Sequence, residues 1–232
     1  MPEGRPFIVV GENIHCTLVY KTSGAFVKLL PGGQAALRYT EGGRELTVPI
    51  PPRFLQSEDW AKGNVKHAAV AMWLGVHGDE AGRQAAASYV RHLARRQEEA
   101  GATYLDLNVD ELSTDLEERR RAMGWAAGVV QEATRLPLSI DSSNLDLLRA
   151  GLAACIASRG KPMVNSVSLE RLDALSVARE AGAVVLAGAT GASRMPQGVE
   201  ERMANLASLV DRLDKAGFDR SEVYLDPLVF PV

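Results

Sequence analysis

Residues 101–110 read GATYLDLNVD, that is Gly101-Ala102-Thr103-Tyr104-Leu105-Asp106-Leu107-Asn108-Val109-Asp110. The glycine follows a long helical segment and lets the chain turn sharply into an extended run. Asp106 and Asn108 are two residues apart, so in a strand they project to one side. In a barrel of parallel strands that side is the lumen or its rim. Polar groups aimed there are costly unless they meet partners. A binding site at the carboxyl end of the strand supplies such partners.

The chain after this stretch repeats one rhythm. Expected strands at Tyr104–Leu107, Leu138–Ile140, Pro162–Val164, Val184–Leu186 and Val223–Leu225 alternate with expected helices at Leu116–Thr134, Leu145–Ile156, Leu169–Ala181 and Glu200–Ala216. Ala100-Gly101, Ala181-Gly182 and Ala216-Gly217 are C-cap signals ahead of the next strand. Strands alternating with helices predict right-handed βαβ units and a parallel sheet.

Upstream, Phe7–Val10 is a short apolar run met by Gly11-Glu12-Asn13, which predicts a buried first strand ending in a polar turn. Residues 16 to about 52 differ in texture. TLVYK, AFVKLL, AALRYT and ELTVPI are β-prone runs parted by TSG, PGGQ and EGGR, the pattern of a small antiparallel meander. Pro49, Pro51 and Pro52 close it. VKHAAVAMWLGV then predicts a short helix, and a second is expected from about Gly82 to Ala100.

The six strand ends read GEN, LDLN, SIDSSN, MVNS, LAGATG and LDP, and five of them carry Asp, Asn or Glu. Polar groups recurring at the carboxyl ends of parallel strands are how a (β/α)8 barrel builds a site. A doubly wound sheet would favour one switch point with a Gly-rich turn, and no G-x-G-x-x-G follows the first strand. The expected fold is therefore an α/β (β/α)8 TIM barrel with about six strands in this chain.

The bulk numbers agree with an ordinary globular protein. The chain has 232 residues, 46% apolar and 24% charged, with a net charge of −3. That balance points to no nucleic-acid and no membrane partner. No apolar run is long enough to span a bilayer, and the N-terminus lacks a signal-peptide core. Cys16 and Cys155 have no metal-type spacing and suit a reduced, cytoplasmic setting. The four histidines, His15, His67, His77 and His92, form no metallohydrolase motif. Glu12, His15 and Cys16 are too closely spaced for a convincing ligand set, so no metal is expected.

Asp141 either caps the next helix or serves a site. Ser142, Ser143 and Asn144 are present to cap, which frees Asp141. Asn165 is a turn-former or a site residue, with Ser166 and Ser168 as alternative caps. Asp226 precedes Pro227, which holds it extended and away from capping. Two carboxylates and an amide facing one cavity suit a flat ligand with several N–H donors, such as the 2-amino-4-oxo edge of a pterin.

The set GENIH, YLDLNVD, LSIDSSN, KPMVNS and YLDPLVFP, in that order, resembles the pterin-binding methyltransferase family. This family comprises the methyltetrahydrofolate:corrinoid protein methyltransferases and the pterin domain of cobalamin-dependent methionine synthase, with dihydropteroate synthase as a more distant relative. The resemblance implies that Asp141, Asn165 and Asp226 hold the pterin ring. It implies that Asp106 and Asn108 lie beneath or beside that ring, and that Asn13 is the polar end of the first strand. The reaction implied is methyl transfer between N5 of methyltetrahydrofolate and the cobalt of a corrinoid (cobalamin) carried by a partner protein, a step of one-carbon metabolism. In such a reaction the protein binds, orients and supplies electrostatics.

Two departures from the family pattern stand out. Residues 16–78 are an insertion after the first strand of the 1–232 barrel domain, placed to shield the pterin, dock a partner or merely decorate the surface. The family's seventh strand, with its Asn near N5, would lie beyond Val232, so no catalytic residue is assigned. Setting the insertion aside leaves well under the roughly 250 residues usual for such barrels. The expectation is that this chain alone does not close a barrel and associates as a homo-oligomer (dimer), because open strand edges invite pairing. A dihydropteroate synthase-like enzyme and a non-catalytic folate-binding subunit are the alternative functions.

Overall fold

A computed structural model describes residues 8–229. The chain falls into two compact units, Met1–Leu136 and Pro137–Val232.

The first unit runs, in order, through β1 (Val10–His15), β2 (Val19–Lys21), β3 (Val27–Leu29), β4 (Ala35–Glu41), β5 (Arg44–Pro49), α1 (Pro52–Leu55), α2 (Glu58–Ala61), β6 (Asn64–Lys66), α3 (His67–His77), α4 (Glu80–Glu99), β7 (Tyr104–Asn108) and α5 (Leu116–Ala133). β1 and β7 pair in parallel, as the βαβ rhythm requires. All five residues of β7 are buried. Its two faces therefore differ by chemistry alone: Leu105 and Leu107 on one side, Tyr104, Asp106 and Asn108 on the other.

Residues 16–78 hold short antiparallel strands. β3, β4 and β5 make a meander joined by the predicted Gly-rich turns. The TLVYK run, however, gives β2, which pairs with β6 rather than with β3. The meander is also no loose appendage. Ala36, Leu37 and Val48 are fully buried, and the Tyr39 ring lies 5.1 Å from that of Tyr89 on α4. Helix α3 is buried over most of its surface, from His67 to Gly75, and so behaves as a core helix. Gly75 is what lets α5 approach it: a Cβ there would stand 2.1 Å from the Trp125 ring.

The first strand begins later than the apolar run suggests. Phe7 lies outside the described residues, and β1 takes in the whole of GENIH rather than ending before it. A bulge makes this possible. Between Gly11 and Ile14 the register shifts, so Glu12 and Asn13 together oppose Asp106. The Asn13 amide donates to Gln97 Oε1 of α4 at 3.1 Å, which meets the backbone need left by the broken ladder.

The second unit holds β8 (Leu138–Asp141), α6 (Leu145–Ala153), β9 (Met163–Val167), α7 (Ala174–Glu180), β10 (Val184–Gly188), α8 (Val199–Lys215) and β11 (Val223–Asp226). β8, β9, β10 and β11 pair in parallel in that order. Helix α7 starts five residues later than the sequence suggests. Ser168 and Arg171 use their carbonyls in successive tight turns, accepting from Arg171 and Ala174, before a regular helix can begin. The Ala-Gly helix ends behave as expected. Gly101 and Gly182 adopt φ of 91° and 60°, the left-handed conformation that ends the helix and turns the chain into the next strand.

This is an α/β fold with six parallel strands among the described residues, two in the first unit and four in the second.

Candidate functional site

In the second unit, register decides which side chains meet. In parallel strands, paired residues project to the same side. Asp141 pairs with Asn165, Asn165 with Leu186, and Leu186 with Tyr224; two residues on, Gly188 pairs with Asp226. Asp141, Asn165 and Asp226 therefore share one face of the four-stranded sheet. The opposite face carries Ile140, Val164, Val185 and Val223. It packs on helices: a Cβ at Gly151 of α6 would meet Ile140 Cγ2 at 2.6 Å. One face is thus apolar and covered, and the other collects the polar strand ends.

The capping alternative for Asp141 does not hold. Asn144 caps α6, its Oδ1 accepting from the amides of Asp146 at 2.9 Å and Leu147 at 3.2 Å. Asp141 remains half-buried at the end of β8. The following turn is held independently: Ser142 is buried, its amide donates to the Asn165 carbonyl at 3.3 Å, and Arg171 donates to the Ser142 carbonyl.

Asn165 sits where β9 leaves register. Leu186 pairs with Asn165 but Ala187 pairs with Val167, so Ser166 is an extra residue. Bulges re-aim the side chain beside them and concentrate near functional sites. Asn13 of β1 lies on the other bulge of the parallel strands.

Asp226 ends β11 half-buried. Its Oδ1 accepts from the Leu228 amide at 2.8 Å, closing a turn over Pro227. Its backbone carbonyl accepts from Ala189 at 3.0 Å. One carboxylate oxygen is thus committed to the turn, and Pro227 keeps the chain extended as expected.

In the first unit, Asp106 is fully buried and Asn108 is 5% exposed. Asn108 Oδ1 accepts from the Asp110 amide at 2.9 Å, so part of its capacity shapes the turn after β7. Asn13 is exposed on its bulge. His15 was not among the expected site residues. It pairs in register with Asn108, and one of its ring nitrogens lies within 4.8 Å of an Asp106 carboxylate oxygen. Its other feature is a 2.6 Å contact between Nδ1 and the Thr17 hydroxyl. Periodicity alone does not reveal it, because the bulge between Gly11 and Ile14 shifts the strand by one residue.

Cys16 points the other way. It is fully buried with Sγ 3.4 Å from Met72 Sδ, and burial pushes its thiol well above the ordinary range. Cys16 is thus part of the packing against α3. Trp73 belongs to the packing, stacked on His77 at 5.1 Å with the Arg53 guanidinium 5.5 Å from its ring. Ser139, two residues before Asp141 on the polar face, is buried with a hydroxyl that has no hydrogen-bond partner among the described residues.

Comparison with known proteins places this geometry. The family model for pterin-binding enzymes matches residues 79–231. A methylcorrinoid:tetrahydrofolate methyltransferase of Eubacterium limosum is 30% identical over 148 residues, 61% of this chain and 52% of that protein. The chain spans about half the length of that relative. Among solved structures, dihydropteroate synthase of Xanthomonas albilineans in complex with 7,8-dihydropteroate is 27% identical at a TM-score of 0.50, over 66% of this chain and 54% of the other. Dihydropteroate synthase of Stenotrophomonas maltophilia gives a TM-score of 0.50 at 23% identity, over 61% of this chain and 55% of the other, and shares the fold.

Proposed function

Since the chain belongs to the family of pterin-binding enzymes, we propose that it binds the pterin of a tetrahydrofolate and moves a methyl group between N5 and the cobalt of a corrinoid protein. The observation that carries this reading is the shared face of Asp141, Asn165 and Asp226, with Asp141 relieved of capping by Asn144. The donor set fits a pterin edge. Carboxylates accept from its N–H groups, and the Asn165 amide both gives and takes. The bulge at Ser166 aims that amide, and the turn over Pro227 fixes the angle of Asp226. The buried Ser139 hydroxyl below Asp141 offers a further polar contact on the same face.

Asp106, Asn108 and Asn13 are proposed as further folate contacts, each on its match to the family's strand-end motifs. The corrinoid, held by a partner protein, supplies the cobalt that carries the methyl group; this chain's residues bind and orient the folate and exclude water. Restraining a bound reactant contributes much of such a rate without any Ser, Cys or Lys nucleophile from the protein. The similarity to the Eubacterium limosum methyltransferase supports methyl transfer and a corrinoid partner. The insertion, residues 16–78, is proposed to serve that partner or to shield the folate.

Titration of the protein with methyltetrahydrofolate, while cob(I)alamin methylation is followed by absorbance, tests the reading. Growth of the methylcobalamin spectrum is expected. Folate binding with no methylation of a supplied corrinoid protein would instead assign a folate-binding subunit. The likeness to dihydropteroate synthase gives a second reading. Turnover of a pterin pyrophosphate with 4-aminobenzoate, and none with cobalamin, would establish it.

A further inference from the structure

The meander and helix α4 line a cleft of about 360 Å³ within the first unit. Its interior is aromatic. Tyr39 and Tyr89 are 8% and 1% exposed, and their rings stand 5.1 Å apart at 56°. The Tyr89 hydroxyl is fixed by His67 Nδ1 at 3.0 Å and by the Tyr20 hydroxyl at 3.3 Å. Tyr20 is in turn sandwiched. His67 stacks on one face at 4.0 Å and 9°, and Phe26 stacks at 4.6 Å and 24°. These rings are rigid, because each is held by at least one neighbour. Yet Phe26 is 49% exposed, a large apolar ring at the mouth that the chain does not cover.

The charge at the mouth has a sign. Arg38 is tied to the Ala25 carbonyl and to Glu45, and Glu45 also binds Lys28. That single carboxylate is shared between two cations. Arg96, an exposed residue of α4 on the same lining, makes no ion pair among the described residues. Its neighbour Arg95 is the one that takes Glu41, at 2.6 Å. The lining therefore carries an excess of positive charge beside the exposed ring of Phe26.

We propose that this cleft binds a planar aromatic carboxylate, its ring on the exposed face of Phe26 and its carboxylate on Arg96. The volume suits one or two fused rings, at the small end of ligand pockets. Aromatic faces supply offset stacking, and a guanidinium supplies planar, charge-assisted bonds to the acid. An aromatic cage for a quaternary ammonium, the other common use of such walls, is disfavoured by the arginines. The inference is independent of the folate reading, since its residues share none with the proposed pterin set.

The test uses 2-naphthoate, its neutral isostere 2-naphthamide, and choline, each titrated into the full chain by calorimetry with and without saturating folate. Naphthoate is expected to bind about tenfold more tightly than the amide, equally well with folate present, and choline not at all. Arg96→Gln is expected to erase the difference between acid and amide while folate binding stays as in the wild type. Phe26→Ala is expected to weaken both ring ligands. Displacement of naphthoate by folate, unchanged naphthoate affinity in Arg96→Gln, or tighter binding of choline than of naphthoate would each overturn the proposal. Absence of naphthoate binding at millimolar concentration would do the same.

Discussion

Replacing Asp226 with asparagine separates two tasks carried by one side chain. One oxygen accepts from the Leu228 amide at 2.8 Å and shapes the turn over Pro227. The other is proposed to accept from the pterin. Asparagine keeps a carbonyl oxygen that can still take the Leu228 amide, so the turn should survive. What replaces the second oxygen is an NH2 group, a donor where the ligand also offers a donor, and the negative charge is gone. Removing a charged hydrogen bond of this kind costs about 1.5–3 kcal/mol. That corresponds to a Kd for tetrahydrofolate raised about 10- to 150-fold. Calorimetric titration at neutral pH measures it, and a thermal melt of the free protein serves as control. The melt of Asp226→Asn should match the wild type. Asp226→Ala, which also loses the turn bond, should melt a few degrees lower, at about 1 kcal/mol. Asp141→Asn should weaken folate binding in the same range, without the turn complication, because Asn144 and Ser142 hold the turn that follows it. Wild-type folate affinity in both asparagine variants would refute the assignment of the pterin edge to these strand ends.

Asn165→Ala is expected to weaken folate binding more than Asn108→Ala, because Asn108 Oδ1 is already committed to the Asp110 amide; the opposite order in a calorimetric series would transfer the ring contact to Asn108. Burial lowers the His67 pKa from 6.5 to about 4, so the folded state excludes its proton. The stability this neutral ring contributes is complete above pH 6.5 and is lost as pH falls toward 4. Unfolding free energies from urea titration at pH 7.5 and 4.5 should therefore differ by about 2–3 kcal/mol more in the wild type than in His67→Phe, and equal pH slopes would contradict it. Gly75→Ala should destabilise despite alanine's better helix propensity. The new Cβ meets Trp125 at 2.1 Å, and overpacking of about 3 kcal/mol outweighs a propensity gain of about 1 kcal/mol; an unchanged or higher Tm would show that the ring moves aside freely.

Much of the second unit is legible in the sequence because each strand there carries its own instruction. Pro137, Pro162 and the Ala-Gly helix ends mark where strands begin. Asp141, Asn165 and Asp226 are singled out by standing where an apolar run stops. The first strand is less legible. A bulge lets Glu12 and Asn13 stay inside β1, and periodicity has no means of signalling one extra residue opposite Asp106. For the same reason His15 is missed, since counting period two from Gly11 puts it on the wrong face. The start of α7 is blurred because Ser168 and Arg171 make turns that resemble helix in composition.

The insertion is where local reading and tertiary structure part most widely. Short β runs and Gly-rich turns predict a self-contained meander, and each strand is indeed present. What the pattern does not carry is the fate of the outward faces. Alternation marks Leu37, Tyr39 and Val48 as one side but does not say that α4 covers it. Charged pairs then fasten the segment along its length. Arg53 of α1 reaches Glu118 at 3.2 Å, where His77 also binds at 2.9 Å. Lys66, at the end of β6, bridges Asp59 at 3.1 Å and Glu111 at 2.8 Å. Glu111 and Glu118 flank the turn that leads from the carboxyl end of β7 into α5. Exposed pairs of this kind contribute little to stability singly, but Glu118 is 8% exposed and receives two partners. The carboxylate is held below its ordinary pKa by Ser113, Arg53 and His77 against the opposing effect of burial. These pairs tie α1, α3 and β6 to the segment that follows Asp106 and Asn108.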